Sequence, residues 1–352
     1  MTQTGMPTRR LGDTGMDLTT VGFGAWAIGG SGWKWAWGAQ DDAESVAAIR
    51  RAVELGVNWI DTAPMYGLGH SEEIIGQAIA DMPESERPYV FTKAGLIWDP
   101  ERPTAAPRKI MRAESVRREV DASLRRLGVD RIDLYQVHWP GDGALLDWAA
   151  PDAVAGADRY ATPLAEYWQT MADLKREGKV RAIGLSNHGT AQLAAAEQVA
   201  HIDGIQPQFS LLHRQAAPEL AWAAARTTGA IVYQPLHSGL LTGAFSTERV
   251  AALPDDDWRK ESAEFTSELG PNLALVDALR PVAGRHGVPV GAVAIAWTLA
   301  WPGVVGAIVG ARRPAQTADW PQAASLELTP ADLAEIAAAL TGTGAGTGPV
   351  QP

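Results

Sequence analysis

The stretch Ala43-Glu-Ser-Val-Ala-Ala-Ile-Arg-Arg-Ala-Val-Glu-Leu-Gly-Val-Asn-Trp-Ile-Asp61 holds the repeating unit that decides the fold. Over 43–55 the apolar residues recur at helical spacing behind Asp41-Asp42, an acidic pair suited to an N-cap. A short apolar run then follows at 57–60. The same alternation continues along the chain. Runs at 20–26, 57–60, 89–92, 132–137, 180–185, 205–209, 230–233 and 304–309 predict strands. Helical periodicity predicts helices at 43–55, 115–127, 164–177, 190–200, 218–228, 272–286 and 289–300. Strands alternating with helices in this number predict an α/β fold, the (β/α)8 TIM barrel, whose parallel strands all end on one rim.

Outward from this core, the segment from Arg9 to Thr19 predicts an N-terminal β-hairpin that turns at 12–15 and closes the opposite mouth. The intervals 95–112, 139–163 and 240–271 exceed ordinary connection lengths, and each follows a strand, which places long loops at the C-terminal face. Thr-Gly repeats after Ala339 predict a loose end, so the expected organisation is a single barrel over 8–340 with a flexible tail at 341–352.

Of the 352 residues 46% are hydrophobic and 20% charged, which excludes a disordered chain. The balance of 30 basic and 41 acidic residues, a net charge of −11, argues against nucleic acid as a partner. The absence of cysteine excludes disulfides, thiolate nucleophiles and cysteine-ligated metals. No signal-like segment or long apolar run stands out, so the expectation is a cytoplasmic protein without a membrane partner.

Three of the strand ends carry titratable groups. Asn58-Trp-Ile-Asp-Thr-Ala-Pro-Met-Tyr-Gly67 presents Asp61 and, across a Pro-containing loop, Tyr66; Tyr89-Val-Phe-Thr-Lys93 presents Lys93; Asp133-Leu-Tyr-Gln-Val-His138 presents His138. Barrel geometry predicts that these four converge. An ammonium beside the phenol is expected to draw its pKa toward the working range, with Asp61 orienting Lys93 and His138 bonding a substrate carbonyl. A site with a proton donor, no nucleophile and no metal set matches hydride reduction of a carbonyl by a bound cofactor, or its reverse.

These motifs resemble those of the aldo-keto reductase family over about residues 8–340, and Asp61, Tyr66, Lys93 and His138 stand where the family has its tetrad. The resemblance implies a dinucleotide, NADPH (NADP+), and a small-molecule carbonyl substrate. In Gly184-Leu-Ser-Asn187 it implies Ser186 and Asn187 as nicotinamide carboxamide partners, joined by Gln208. Tyr233 stands where an aromatic residue stacks on the nicotinamide, and Gln234, Pro235, Leu236, Ser238, Gly239 and Leu241 follow where the backbone runs along the pyrophosphate. Gly310, Arg312, Arg313, Gln316 and Asp319 fall in a segment similar to the family's adenosine-phosphate site; guanidinium groups beside a helix N-terminus suit a dianionic 2′-phosphate. Trp320 stands where the family often has Asn, and Asp319 where Glu is usual.

Gly22-Phe-Gly-Ala-Trp-Ala27 imitates a dinucleotide fingerprint but leads into a loop, not a helix. Gly24, Ala25 and Trp26 are instead expected to let the first strand end approach the nicotinamide. Trp26, Trp33, Trp98 and Trp139 are candidates for the substrate wall; packing of the loops, including Trp35, Trp37, Trp148 and Trp258, is the alternative. Arg259 and Lys260 suit either a lid or a solvated turn. The competing functional reading is a redox-sensing or regulatory NADP(H)-binding subunit with slow or vestigial catalysis.

Overall fold

A computed structural model describes residues 5–147, 156–254 and 257–352; Trp148, Asp255 and Asp256 lie outside them. Strands β1 (Thr8–Arg10) and β2 (Asp17–Thr19) form the N-terminal hairpin. Strands β3 (Val21–Gly24), β4 (Trp59–Asp61) and β5 (Tyr89–Ala94) open the barrel. The short pair β6 (Leu96–Ile97) and β7 (Arg108–Lys109) lies in the long loop that follows. The barrel continues through β8 (Ile132–Val137), β9 (Val180–Ser186), β10 (Gly204–Gln206), β11 (Gly229–Tyr233) and β12 (Val304–Gly310), which pairs back onto β3. The eight barrel strands close in one parallel ring, the (β/α)8 architecture expected.

The helices are α1 (Asp42–Glu54), α2 (His70–Ile79), α3 (Ala113–Leu127), α4 (Ala157–Tyr160), α5 (Leu164–Arg176), α6 (Thr190–Glu197), α7 (Ala217–Ala224), α8 (Thr247–Ala251), α9 (Leu269–His286), α10 (Val290–Leu299), α11 (Trp320–Ser325) and α12 (Pro330–Thr343). Asp41 caps α1 by accepting from the Glu44 amide. None of the helices in the described residues is long and apolar enough to cross a membrane.

Strand pleating sorts the side chains. On β4 Trp59 points into the barrel, Ile60 outward to the helices and Asp61 inward again; Phe91 and Lys93 on β5, and Leu134 and Gln136 on β8, keep the same parity. The inner layer of Trp59, Phe91, Leu134, Ala182, Ile231 and Ile308 rests on Leu11, Met16 and Leu18 of the hairpin. The hairpin therefore plugs the N-terminal mouth and keeps the polar layer above it away from water. Trp59 fits because Gly22 offers no side chain: a Cβ there would lie 2.1 Å from the indole.

The expected loose tail is corrected. Buried Arg214 donates to the carbonyls of Ala345, Gly348 and Pro349, and its amide to Thr347, so the segment after α12 is tied to the loop following β10. Gly and Thr there adopt the turns that bring successive carbonyls onto one guanidinium.

Gly22→Ala forces the buried indole to shift and is expected to cost about 1–3 kcal/mol, read as a lower urea midpoint than that of the parent protein.

Candidate active site

At the C-terminal rim the inward-facing ends of β4, β5 and β8 bring three of the tetrad residues together, and the loop after β4 supplies the fourth. Lys93 Nζ donates to Asp61 Oδ2 at 2.6 Å, to the Thr62 carbonyl at 2.9 Å and to the Tyr66 hydroxyl at 3.3 Å. Lys93 is 1% exposed and Asp61 3%, so the ion pair has almost no water to share its charge with. Gln206 and Gln136 donate to the other Asp61 oxygen at 2.7 and 3.2 Å. Charges this deep persist only when they are closely paired and hydrogen-bonded: all three Lys93 protons have an acceptor here, and both Asp61 oxygens have a donor.

Tyr66 begins a tight turn in which Gly67 and Leu68 have φ of 65° and 56°. Gly67 is required twice over, by that left-handed conformation and by the Gly29 carbonyl, which a Cβ would approach to 2.1 Å. The turn aims the phenol at Lys93. The phenol ring stacks on Trp26 with centroids 5.9 Å apart and meets His138 edge-on at 5.8 Å. His138 is held through its backbone, its amide on the Ala94 carbonyl and its own carbonyl on Asn187.

Burial, reinforced by the Asp61 carboxylate, pushes the Tyr66 phenol well above its ordinary pKa. This corrects the expectation that Lys93 draws it toward neutrality: desolvation of a phenolate outweighs one ammonium already paired with Asp61. The Tyr66 phenol is accordingly protonated at neutral pH. Burial lowers the Lys93 ammonium despite Asp61, and burial with the nearby Lys93 charge holds His138 well below the usual range, as a neutral imidazole.

A cleft of about 1340 Å³, open to solvent, runs from the tetrad along the rim. Gly24, Ala25, Trp26, Ser186, Asn187, Tyr233, Gln234, Pro235, Leu236, Ser238, Gly239, Gly310, Arg312 and Gln316 all line it. Asn187 is tied at 2.9 Å to the His138 carbonyl and accepts from the Tyr233 hydroxyl at 2.8 Å. Gln234, His237 and Ser238 all have positive φ, turning the loop backbone toward the cleft. Such left-handed non-glycine residues cost free energy and collect where a loop must hold one shape.

Four of the cofactor candidates stand apart from the cleft lining. Gln208 turns to the Gln234 carboxamide at 2.7 Å, and Gln206, two residues earlier, is the glutamine that faces the cleft. Leu241 is buried in the core, Arg313 is exposed at the start of the one-turn helix at Pro314–Thr317, and Asp319 is exposed. Arg312 is engaged in the wall, donating to Gln40 at 2.6 Å and to the carbonyls of Trp37 and Ala39. Among the tryptophans, Trp26 and Trp139 line the cleft; Trp33 and Trp98 pack with Met65, Leu96 and Leu146 behind it. Trp35, Trp37, Met65, Leu96 and Leu146 line the cleft as well. Leu96 and Leu146 come from loops with no motif of their own, whereas Met65 sits next to Tyr66 in the stretch that presents it. Arg259 pairs with Asp257 and lies 5.0 Å over Trp37, a bridge between two rim loops.

Comparison with known proteins fits this geometry. A profile of the aldo/keto reductase family matches residues 20–341. An aldo-keto reductase of Bacillus subtilis is 35% identical over 309 residues, covering 87% of this chain and 85% of that protein. An NADH-specific methylglyoxal reductase of Escherichia coli is 34% identical over 347 residues, covering 94% and 98%. The solved glycerol dehydrogenase of Gluconobacter oxydans superposes with a TM-score of 0.82 at 34% identity, covering 97% of each chain. The fold is that of a barrel oxidoreductase. The chain belongs to the aldo/keto reductase family.

The buried imidazoles set a pH dependence of stability. The His138 pKa is lowered and that of His188 falls to about 4, so the unfolded chain binds more protons below pH 6.5. These two histidines therefore destabilise the fold as pH drops from 7 toward 4, each with a slope of up to about 1.4 kcal/mol per pH unit, against the opposite contribution of Glu119, whose buried carboxyl is raised to about 7. In urea unfolding at pH 7.5 and 5, His138→Gln should show a smaller loss than the parent.

Proposed function

We propose that this aldo/keto reductase reduces an uncharged aldehyde or ketone to the alcohol, with NADPH as the reductant and Tyr66 as the general acid. The observation that carries the reading is the hydrogen-bonded line from Asp61 through Lys93 to Tyr66, opening onto a cleft whose lining continues from the tetrad to Arg312 and Gln316. The cleft's chemistry suits one. Ser186, Asn187 and Gln206 supply hydrogen-bonding groups for a carboxamide beside the tetrad. The turned backbone at 236–239 lines the cleft where a pyrophosphate would lie, and Arg312 and Arg313 lie at the far end.

When bound, the nicotinamide supplies the hydride to the carbonyl carbon. Tyr66 gives its proton to the oxygen as negative charge gathers there. Lys93 stabilises the phenolate that this leaves, its ammonium kept in place by Asp61. Neutral His138 donates an N–H to the substrate oxygen and orients the carbonyl. Trp26 holds the phenol ring flat against its own face. The substrate end is walled by Trp26, Trp35, Met65, Leu96, Trp139 and Leu146, with no Lys or Arg among the described residues lining that end, which favours uncharged compounds.

Preference for NADPH rests on three guanidiniums gathered at the far end: the Arg312 pKa is lowered by burial and then by the charges of Arg313 and Arg259. Arg312 gives a bond from each of its three nitrogens to the wall, and exposed Arg313 beside it is the freer partner for a 2′-phosphate. The Escherichia coli relative named for NADH sets the opposing case.

Tyr66→Phe is expected to lower kcat at least about 100-fold while the dissociation constant for NADPH, read by tryptophan fluorescence, stays within about twofold. Tight NADPH binding without turnover on any aliphatic, aromatic, α-dicarbonyl or sugar carbonyl would favour the redox-sensing subunit instead. Arg313→Ala should raise the KM for NADPH about tenfold, a loss of about 1.4 kcal/mol, and leave that for NADH unchanged. Equal use of both cofactors by the parent enzyme would remove the preference.

A further inference from the structure

Gln136 occupies a layer of the barrel interior where an aliphatic side chain would fill the space at no polar cost, as Leu134 does one layer below. It is fully buried. Room for it comes from the neighbouring strand: a Cβ on Gly184 of β9 would lie 3.1 Å from Gln136 Cγ. Its carboxamide donates to Asp61 Oδ1 at 3.2 Å and accepts from Gln206 Nε2 at 3.1 Å, and Gln206 also donates to Asp61 Oδ1 at 2.7 Å. The three side chains form a closed triangle, with the other Asp61 oxygen left for Lys93 at 2.6 Å.

We propose that Gln136 is a positioning residue: with Gln206 it fixes the rotation of the Asp61 carboxylate so that Oδ2 faces Lys93 and sets the ammonium under the Tyr66 hydroxyl. The inference rests on the proposed reductase activity. A carboxylate with one donor on Oδ1 in place of two turns more freely, and Lys93 then follows it away from the phenol. Gln136 does not line the cleft and reaches it only through Gln206, which keeps its own bond to Asp61, so its loss acts chiefly on turnover.

The test pairs Gln136→Leu with Gln136→Glu. Gln136→Leu should lower kcat about tenfold while the dissociation constant for NADPH stays within about twofold of the parent. In Gln136→Glu the introduced carboxylic acid donates to Asp61 Oδ1 when protonated and repels it when ionised. Its kcat relative to the parent should therefore rise as pH is lowered from 8 to 5.5. The titratable and charged groups facing this position are Asp61 from β4, Lys93 from β5, and Tyr66 and His138 at the rim. All four are present in both proteins, so the ratio isolates the new acid.

Parental kcat in Gln136→Leu, or a parental pH profile in Gln136→Glu, overturns the proposal. If Gln136→Leu does not fold, the Gln136→Glu profile decides alone. A parent protein without turnover on any carbonyl would sink the reductase reading itself, whereas a turning-over parent with unaffected variants sinks only the role of Gln136.

Discussion

The site is built around an ammonium and a carboxylate paired at 2.6 Å with almost no access to water. Each ion costs several kcal/mol to desolvate, and the mutual attraction offsets this only when geometry is tight and the remaining lone pairs are satisfied. The barrel meets that demand by construction. Its N-terminal mouth is plugged by the hairpin, its middle is filled by Trp59 and its neighbours, and only the rim layer carries polar groups. The carboxamides of Gln136 and Gln206 and the Thr62 carbonyl then complete the shell around the pair. What emerges toward the cleft is one protonated phenol beside a confined positive charge.

This arrangement separates two tasks in space. The tetrad, to which the proposed function gives proton donation, sits on the inward-facing ends of β4, β5 and β8 and on the turn after β4, all deeply packed. The dinucleotide-sized part of the cleft is shaped by loops after β3, β9, β11 and β12, several of them held in left-handed backbone conformations, and its other end by Met65, Leu96, Trp139 and Leu146 from the segments after β4, β5 and β8. Arg312 and Arg259 lace those loops together through Gln40, Trp37 and Ser238. A loop wall of this kind can change between relatives without disturbing the ion pair. Relatives acting on different compounds with one barrel are the outcome to be expected of such a division.

Much of this was legible in the residues. The tetrad could be read because strand parity is periodic and all parallel barrel strands deliver their ends to one rim, so Asp61, Lys93 and His138 meet whatever their separation in the chain. Gln206 was misjudged for Gln208 because two glutamines flank Pro207 and only backbone geometry says which one faces inward. The rise of the Tyr66 pKa was hidden as well, since burial depends on the packing of Trp26 and Trp33 from a loop without motifs. Helix α12 has a capping box at Thr329 and Asp332, a local signal that was available but overshadowed by the Thr-Gly repeats after it. The docking of those repeats on Arg214 is a long-range contact that no local pattern announces.

The most direct measurement is single-turnover oxidation of NADPH by Lys93→Met, with a saturating aldehyde and the NADPH dissociation constant determined in parallel. If the ammonium stabilises the phenolate left by proton transfer, the hydride step slows by at least about 100-fold and the dissociation constant stays within a few-fold of the parent. A parental rate of NADPH oxidation in that variant would contradict the central role of the Lys93–Asp61 pair.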